Sequence, residues 1–370
     1  MVLVLFAGAA CAKRQKAEPQ FPLSQCKRVD LFDERLGRLV IGAEDLAVDP
    51  ATETIFISAY DRHSAEQAAR TRADAIPQGG LYAVSLRQLL KTKSESITVS
   101  SILDNTAPGD GVRPHGIDFS PAENEVAFVN RGYVLEGKKW RRRAQIEVIN
   151  PFAPQLSVKD DETPFALTHC AANDVLVREE INVSSFDHGS CGAGAIVENV
   201  FSVPRSGIMD NLGEVVFGKT VFANGLAMLP DGRIALAATR EKAVRLVEVG
   251  SNGKWTQSTR IKLPGAPDNL TTDQQGKLIA AVHPSLISLA VQRRWGRGRA
   301  SSSIVQIDPA TASVRQLFLD KKASLFSAAT AAVVFNGALV AGSVVDQGLL
   351  VCGPADGVSD RAAMKPEQQQ

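Results

Sequence analysis

Five segments of this chain repeat one local pattern: two polar or glycine residues, a bulky aliphatic, then an alternating apolar run. They read Glu44-Asp45-Leu46, His115-Gly116-Ile117, Asn173-Asp174-Val175, Asn224-Gly225-Leu226 and Asp268-Asn269-Leu270. Their starts lie 71, 58, 51 and 44 residues apart. β-type runs follow, such as Thr54–Ser58 and Arg233–Ala237, and a sixth, degenerate copy is Ala329-Thr330-Ala331 with the run Ala338–Gly342. Repeats of ~40–50 residues in strand-rich sequence are the mark of propeller blades. Turn signals such as Pro230-Asp231-Gly232 and Asn336-Gly337 separate the runs. The expected fold is all-β: a single six-bladed β-propeller with four-stranded blades.

The layout expected from composition is a segment at 1–20, a propeller at 21–355 and a flexible polar tail at 356–370. Residues 2–10 are apolar and end on small residues before Cys11. This run is too short to span a bilayer and looks like an export signal. The small residues before Cys11 also resemble a lipoprotein processing site. The protein is therefore expected to be periplasmic, secreted or membrane-anchored, with an acylated Cys11 or the N-terminal segment as a route to a membrane. A net charge of +1 leaves no electrostatic footprint for nucleic acid. The basic runs Lys138–Arg143 and Arg293–Arg299 read as solvated loops. Residues 63–75 are the best helical stretch, a surface insertion with an alanine face, whereas Ala195–Val200 reads as one of the strands.

Export makes the remaining cysteines disulfide candidates. A propeller brings its termini together to close the ring, so Cys26 and Cys352 are expected to be bonded. The chain-entropy model assigns such a long loop on the order of 5 kcal/mol. Pairing of Cys170 with Cys191 has no comparable topological argument.

There is no Walker A loop, no His-Glu-x-x-His and no Gly-x-Ser-x-Gly elbow. The stretch His188-Gly189-Ser190-Cys191-Gly192 has the wrong spacing for a nucleophile elbow. Chemistry is left to the repeated pairs. Glu44, Asp45, Asp174 and Asp268 offer carboxylates, and Asn173, Asn224 and Asn269 offer neutral carbonyl oxygens. An oxygen-dominated set disfavours zinc or copper and suits calcium. One such pair alone would be an ordinary strand-entry turn; five in register are not.

Glu44-Asp45-Leu46, Arg113-Pro114-His115-Gly116-Ile117, Asn173-Asp174, Phe222-Ala223-Asn224-Gly225, Asp268-Asn269 with the later His283-Pro284, and the end cysteines together resemble the paraoxonase/arylesterase family over roughly residues 22–353. That resemblance implies a six-bladed propeller that hydrolyses lactones, aryl esters and, in some members, organophosphates. It implies two calcium ions: a catalytic one on Glu44, Asn173, Asn224, Asp268 and Asn269, and a deeper structural one on Asp45, Asp174 and the backbone carbonyl of Ile117. It also implies the Cys26–Cys352 disulfide. The chain departs from the family where a second histidine is expected after the second-blade strand, because Asn130 is followed there by Arg131. Arginine is no proton shuttle at ordinary pH. Either His115 acts alone, or Glu44 or Asp268 activates the water. His283 reads as a pocket wall, and Arg131 as an anchor for an anionic substrate or an ordinary ion pair. The segments 62–75 and 292–302 read as insertions near the tunnel mouth.

The leading expectation is thus calcium-dependent hydrolysis of a small lactone or aryl or carboxylic ester. The alternatives are a non-catalytic propeller that binds a ligand or protein at the tunnel face, and a sugar-acid lactonase of the gluconolactonase-like type.

Overall fold

The computed structural model describes residues 18–103, 111–152 and 168–353. The segment expected to be an export signal, with Cys11, and the expected C-terminal tail lie outside the described residues. The chain forms a six-bladed β-propeller of small antiparallel sheets in a ring. The innermost strands are Ala43–Asp49, Pro114–Ser120, Ala172–Arg178, Ala223–Met228, Ala266–Thr272 and Ala329–Phe335 in blades 1 to 6. Each touches the next, and the sixth touches the first.

Blades 3, 4 and 5 carry four strands each. Blade 6 takes three strands from the C-terminal end and its fourth, Cys26–Asp33, from the N-terminal end. Cys26 and Cys352 face each other in that antiparallel pair and are bonded, as expected from ring closure. Blades 1 and 2 pair three strands each among the described residues, and Ser96–Val99, which follows blade 1, pairs in parallel with Cys26–Asp33 instead. Cys170 and Cys191 are also bonded. Two disulfides fit an oxidising compartment. Among the described residues no helix is long and apolar enough to cross a membrane.

Second strands are sandwiched between neighbouring blades. Ile234–Ala238 and Leu278–His283 are buried at every position, so they read as unbroken apolar runs rather than alternating ones. Apolar clusters accordingly span pairs of blades: Leu246, Ile261 and Leu278 share one, as do Phe56, Phe119 and Phe128.

Among the described residues four α-helices interrupt the strands: α1 (Arg62–Thr71), α2 (Leu86–Lys91), α3 (Ala193–Phe201) and α4 (Leu286–Trp295). Helix α1 matches the expected insertion. Asp61 caps it, its Oδ1 accepting from the Ser64 amide at 3.0 Å. Helix α3 corrects the strand expected at Ala195–Val200. Ile196, Val197, Val200 and Phe201 recur at helical spacing, and the place beside Ile181–Phe186 is taken by Ser206–Asp210. Lys138–Arg143 corrects the loop expected there: all but Lys138 belong to the strand Lys139–Ile149, paired along its length with Glu125–Glu136. Trp140 Nε1 donates to the Ala73 carbonyl at 2.8 Å, tying that hairpin to the end of α1. In the second basic run, Arg293 to Trp295 close α4 rather than forming loop.

Candidate functional site

All six innermost strands slip register against their second strands at the same place. The slips fall between residues 43 and 45, 114 and 117, 172 and 175, 223 and 226, 267 and 270, and 329 and 331. These are the positions of the repeated pairs. A bulge removes residues from the ladder and re-aims their side chains. The pairs are therefore freed from their own blades, and they meet across blades.

The second member of each pair joins blade to blade. Asp45 accepts from its own Leu46 amide at 2.8 Å and from the blade 2 amide of Ile117 at 3.0 Å. Asp174 repeats the arrangement, accepting from Val175 at 2.8 Å and from the blade 4 amide of Leu226 at 2.6 Å. Gly116 and Gly225 occupy the same position in the alternate blades. A Cβ on Gly116 would stand 2.4 Å from Asp174 Cα, and one on Gly225 would stand 2.5 Å from the Leu270 nitrogen. Only glycine lets the next blade come so close. Asn269 Nδ2 and Thr330 Oγ1, from blades 5 and 6, both donate to the Glu44 carbonyl, at 3.0 and 2.7 Å. The degenerate sixth copy thus completes the ring with a hydroxyl.

The remaining predicted residues gather at the floor of a cavity of about 1080 Å³, lined there by Glu44, His115, Asn173, Asn224, Asp268 and His283. None of these is more than 8 % exposed. The asparagine amides share one orientation. Asn224 Nδ2 donates to Asp268 Oδ1, Asn269 Nδ2 to the Glu44 carbonyl, and Asn173 Nδ2 to Asp187 Oδ2 at 3.5 Å. Their oxygens, with Glu44 Oε2, are buried and without partners. Four open oxygens from blades 1, 3, 4 and 5, on residues whose nitrogens are engaged, form a donor set that fits a hard cation, which takes roughly six to eight oxygens.

His115 Nδ1 stands 2.9 Å from Glu44 Oε2, outside hydrogen-bond alignment, so both atoms remain unpartnered. The His115 Nε2 makes no hydrogen bond among the described residues, and the ring lines the cavity. His283 Nε2 lies 2.6 Å from Asp268 Oδ2, so both Asp268 oxygens are occupied by neighbouring side chains. Burial, then the charge of Asp268, raises the Glu44 pKa to about 7. Burial, then the Arg131 and Arg62 guanidiniums, pushes His115 well below the usual histidine range. Asp45 and Asp174 are pushed well up, chiefly by burial.

Arg131 also lines the cavity. Its Nη2 donates to the Ala172 carbonyl at 3.0 Å and lies 3.5 Å from Asp187 Oδ2. Asp187 escaped sequence reasoning, and His188 entered it only as part of a stretch with the wrong spacing for a nucleophile elbow. His188 Nδ1 lies 2.5 Å from Asp187 Oδ1, and its Nε2 is buried without a partner. Phe222 sets its ring edge-on to His188 at 5.1 Å and adopts φ 61°, a left-handed conformation rare for so bulky a residue. The Asp-His doublet at the end of a blade 3 strand was the available signal. Arg62 and Arg293, from α1 and α4, complete the wall, so both segments expected near the tunnel mouth contribute to it. Helix α3 flanks the mouth, with Ile196, Val200 and Phe201 65–73 % exposed.

No family model and no curated protein matches the chain. Among solved structures it is similar to a gluconolactonase of Xanthomonas campestris, at 13 % identity over 85 % of this chain and 88 % of that one, with a TM-score of 0.49. It is also similar to the calcium-binding protein regucalcin of Agrobacterium tumefaciens strain C58, at 12 % identity over 90 % and 95 %, with a TM-score of 0.47. At these levels of identity and superposition, function rests on the site itself.

Proposed function

We propose that this protein is a hydrolase that opens lactones or carboxylic esters at a hard-cation centre, with calcium the ion its oxygen donors suit best. The observation that supports this most is the set of open buried oxygens on Glu44, Asn173, Asn224 and Asn269 beside the buried imidazole of His115, which lines the same cavity. Asp268, held by Asn224 and His283, completes the ligand set. A bound ion would polarise the substrate carbonyl and stabilise the negative charge that develops on its oxygen.

The protein's own groups supply the rest. His115 is neutral at physiological pH because burial and the nearby guanidiniums disfavour its charged form. Its Nε2 is therefore free to take the proton of an attacking water. Glu44, against the other ring nitrogen, counters the positive charge that the imidazole then carries. Arg131 replaces a second histidine and holds its proton too tightly to relay one. A deeper structural ion on Asp45, Asp174 and the Ile117 carbonyl is the second half of the proposal: it would neutralise two buried carboxylates that crowd each other.

A sugar-acid lactone is the second reading, favoured by the polar floor and the arginines on its wall. The test is turnover of phenyl acetate, simple aliphatic lactones and gluconolactone, each with calcium and after its removal. Turnover that requires calcium supports the proposal, and the preferred substrate separates the two readings. Calcium binding with no turnover on any substrate rejects the hydrolase in favour of a ligand-binding propeller.

A further inference from the structure

Among the described residues six arginines line the cavity, and four of them stand on its wall between α1, blade 2 and α4: Arg62 on α1, Arg131 and Arg142 on blade 2, and Arg293 on α4. They are held near one another. Arg62 Nε and Arg142 Nη2 approach the same oxygen, Glu66 Oε1, at 3.7 and 3.6 Å. His63, next to Arg62, places its Nδ1 3.2 Å from the Arg293 carbonyl. Arg62 and Arg131 are at most 7 % exposed.

A guanidinium has five N–H donors and no acceptor, and these are poorly supplied. The carboxylates whose charge reaches them are Glu66, Asp187 and, from the floor, Glu44, which forms no ion pair with any of the four. Glu66 is shared by Arg62, Arg70 and Arg142, all at 3.6–3.7 Å, and Asp187 divides its oxygens between Arg131 and His188. No side-chain nitrogen of Arg62 or Arg293 makes a hydrogen bond among the described residues; Arg62 Nε is buried with only the 3.7 Å ion pair to Glu66. The Arg293 guanidinium has no carboxylate within ion-pair distance among those residues. The charge of Arg62 is the main reason that Arg293 holds its proton less tightly than usual. Buried or half-buried cations with idle donors, crowded around a cavity, lack an anion.

We propose that Arg62, Arg131 and Arg293, with Arg142 at the rim, form a subsite for the carboxylate or phosphate group of an anionic substrate, beside the Glu44–His115 floor. The subsite deepens the hydrolase reading by naming a substrate class: a lactone or ester that carries an acidic group close to its scissile carbonyl. Its apolar remainder would lie against the mouth, where Leu286, Ile287 and Val200 line the cavity. The guanidiniums would hold the acid end by charge-assisted hydrogen bonds and so orient the carbonyl over the floor.

The test is calorimetric titration of the full chain with glutarate and with methylphosphonate at fixed ionic strength. It is done with calcium bound and again after calcium and chelator have been removed, so that anion held by the ion is separated from anion held by the arginines. Binding is expected in both states. It should weaken by about 10- to 100-fold in Arg131→Gln and in Arg293→Gln. Arg131→Lys should recover only part, because lysine lacks the planar fork. Arg293→Gln is the decisive variant, since among the described residues its side chain makes no hydrogen bond or ion pair whose loss would disturb the fold. Binding of glutarate alone assigns a carboxylate, and of methylphosphonate alone a phosphate; either supports the subsite, as does binding of both. Failure of both anions to bind the cation-free chain overturns it, as does wild-type affinity in Arg293→Gln. A chain that binds these anions but hydrolyses no ester keeps the subsite and loses the hydrolase.

Discussion

Asp45 and Glu44 are neighbours in one bulge of blade 1, yet Asp45 has both carboxylate oxygens bonded to backbone amides, while Glu44 leaves Oε2 without a partner. Blade 3 repeats the contrast: Asp174 is bonded twice to amides, and Asn173 Oδ1 is open. A bulge presents two consecutive side chains where a regular strand would present one. The second of them reaches the neighbouring blade, and the first faces the cavity. The same backbone device thus supplies both the joints of the ring and the donors of a site. Substitutions at the two positions should fail in different ways.

The largest effect is expected at a first position. His115→Gln should lower turnover by roughly 10²- to 10⁴-fold, with melting temperature and calcium affinity little changed. Steady-state kinetics beside a calcium titration checks this. A loss of less than about tenfold would mean that His115 is only wall.

At the second position, Asp45→Ala strands the buried amides of Leu46 and Ile117 and should cost about 2–4 kcal/mol in chemical denaturation with calcium present. Glu44→Ala strands no backbone amide. It should cost less in folding while removing calcium binding and turnover. Equal folding costs for the two variants would erase the proposed division between positions.

Gly116→Ala tests the alternate blades. The new methyl would meet the Asp174 backbone, and overpacking of this kind costs about 1–3 kcal/mol. A melting temperature like that of the wild type would show that the blades can part there without penalty.

The smallest effect is a pH dependence. Without calcium, Glu44, Asp45 and Asp174 have pKa values above their ordinary ones. The folded chain then holds protons that the unfolded chain has already released, so stability falls as pH rises. For Glu44 the window runs from its ordinary 4.5 to about 7. His115, whose lowered pKa acts with the opposite sign below its ordinary 6.5, offsets part of this. The three carboxyls outweigh it, so the calcium-free protein should melt higher at about pH 5 than at about pH 8, and saturating calcium should raise the melting temperature most at the upper end. If melting temperatures are the same with and without calcium across this range, neither ion contributes to the fold.

Local sequence was enough for the blades. The spacing of the polar pairs, the apolar runs after them and the turn residues between them are properties of neighbours along the chain. The strand-turn-strand rhythm requires nothing more. The Cys26–Cys352 bond was legible because ring closure brings the ends together whatever the loops do. The oxygen-rich character of the cavity floor was legible too, since Glu, Asp and Asn advertise oxygen. Helix α3 was misread because Ile, Val and Phe favour strands by composition, and only the occupied place beside Ile181–Phe186 leaves those residues to a helix.

Other features exist only in the closed ring. Nothing near Asn173 or Asn224 in sequence says that the nitrogen of each amide will be engaged by Asp187 or Asp268 and its oxygen left open. The sequence sets the segments of Arg62 and Arg293 near the tunnel mouth, but nothing around Arg293 announces that its guanidinium will be left without an ion pair among the described residues, on a wall shared with Arg131, 162 positions earlier in the chain. Periodicity and turn chemistry act between near neighbours, so a single sequence displays them. Hydrogen-bond partners, burial and the crowding of like charges depend on residues that only the packing of six blades brings together, and those contacts decide which donors are spent on the fold and which remain for a ligand.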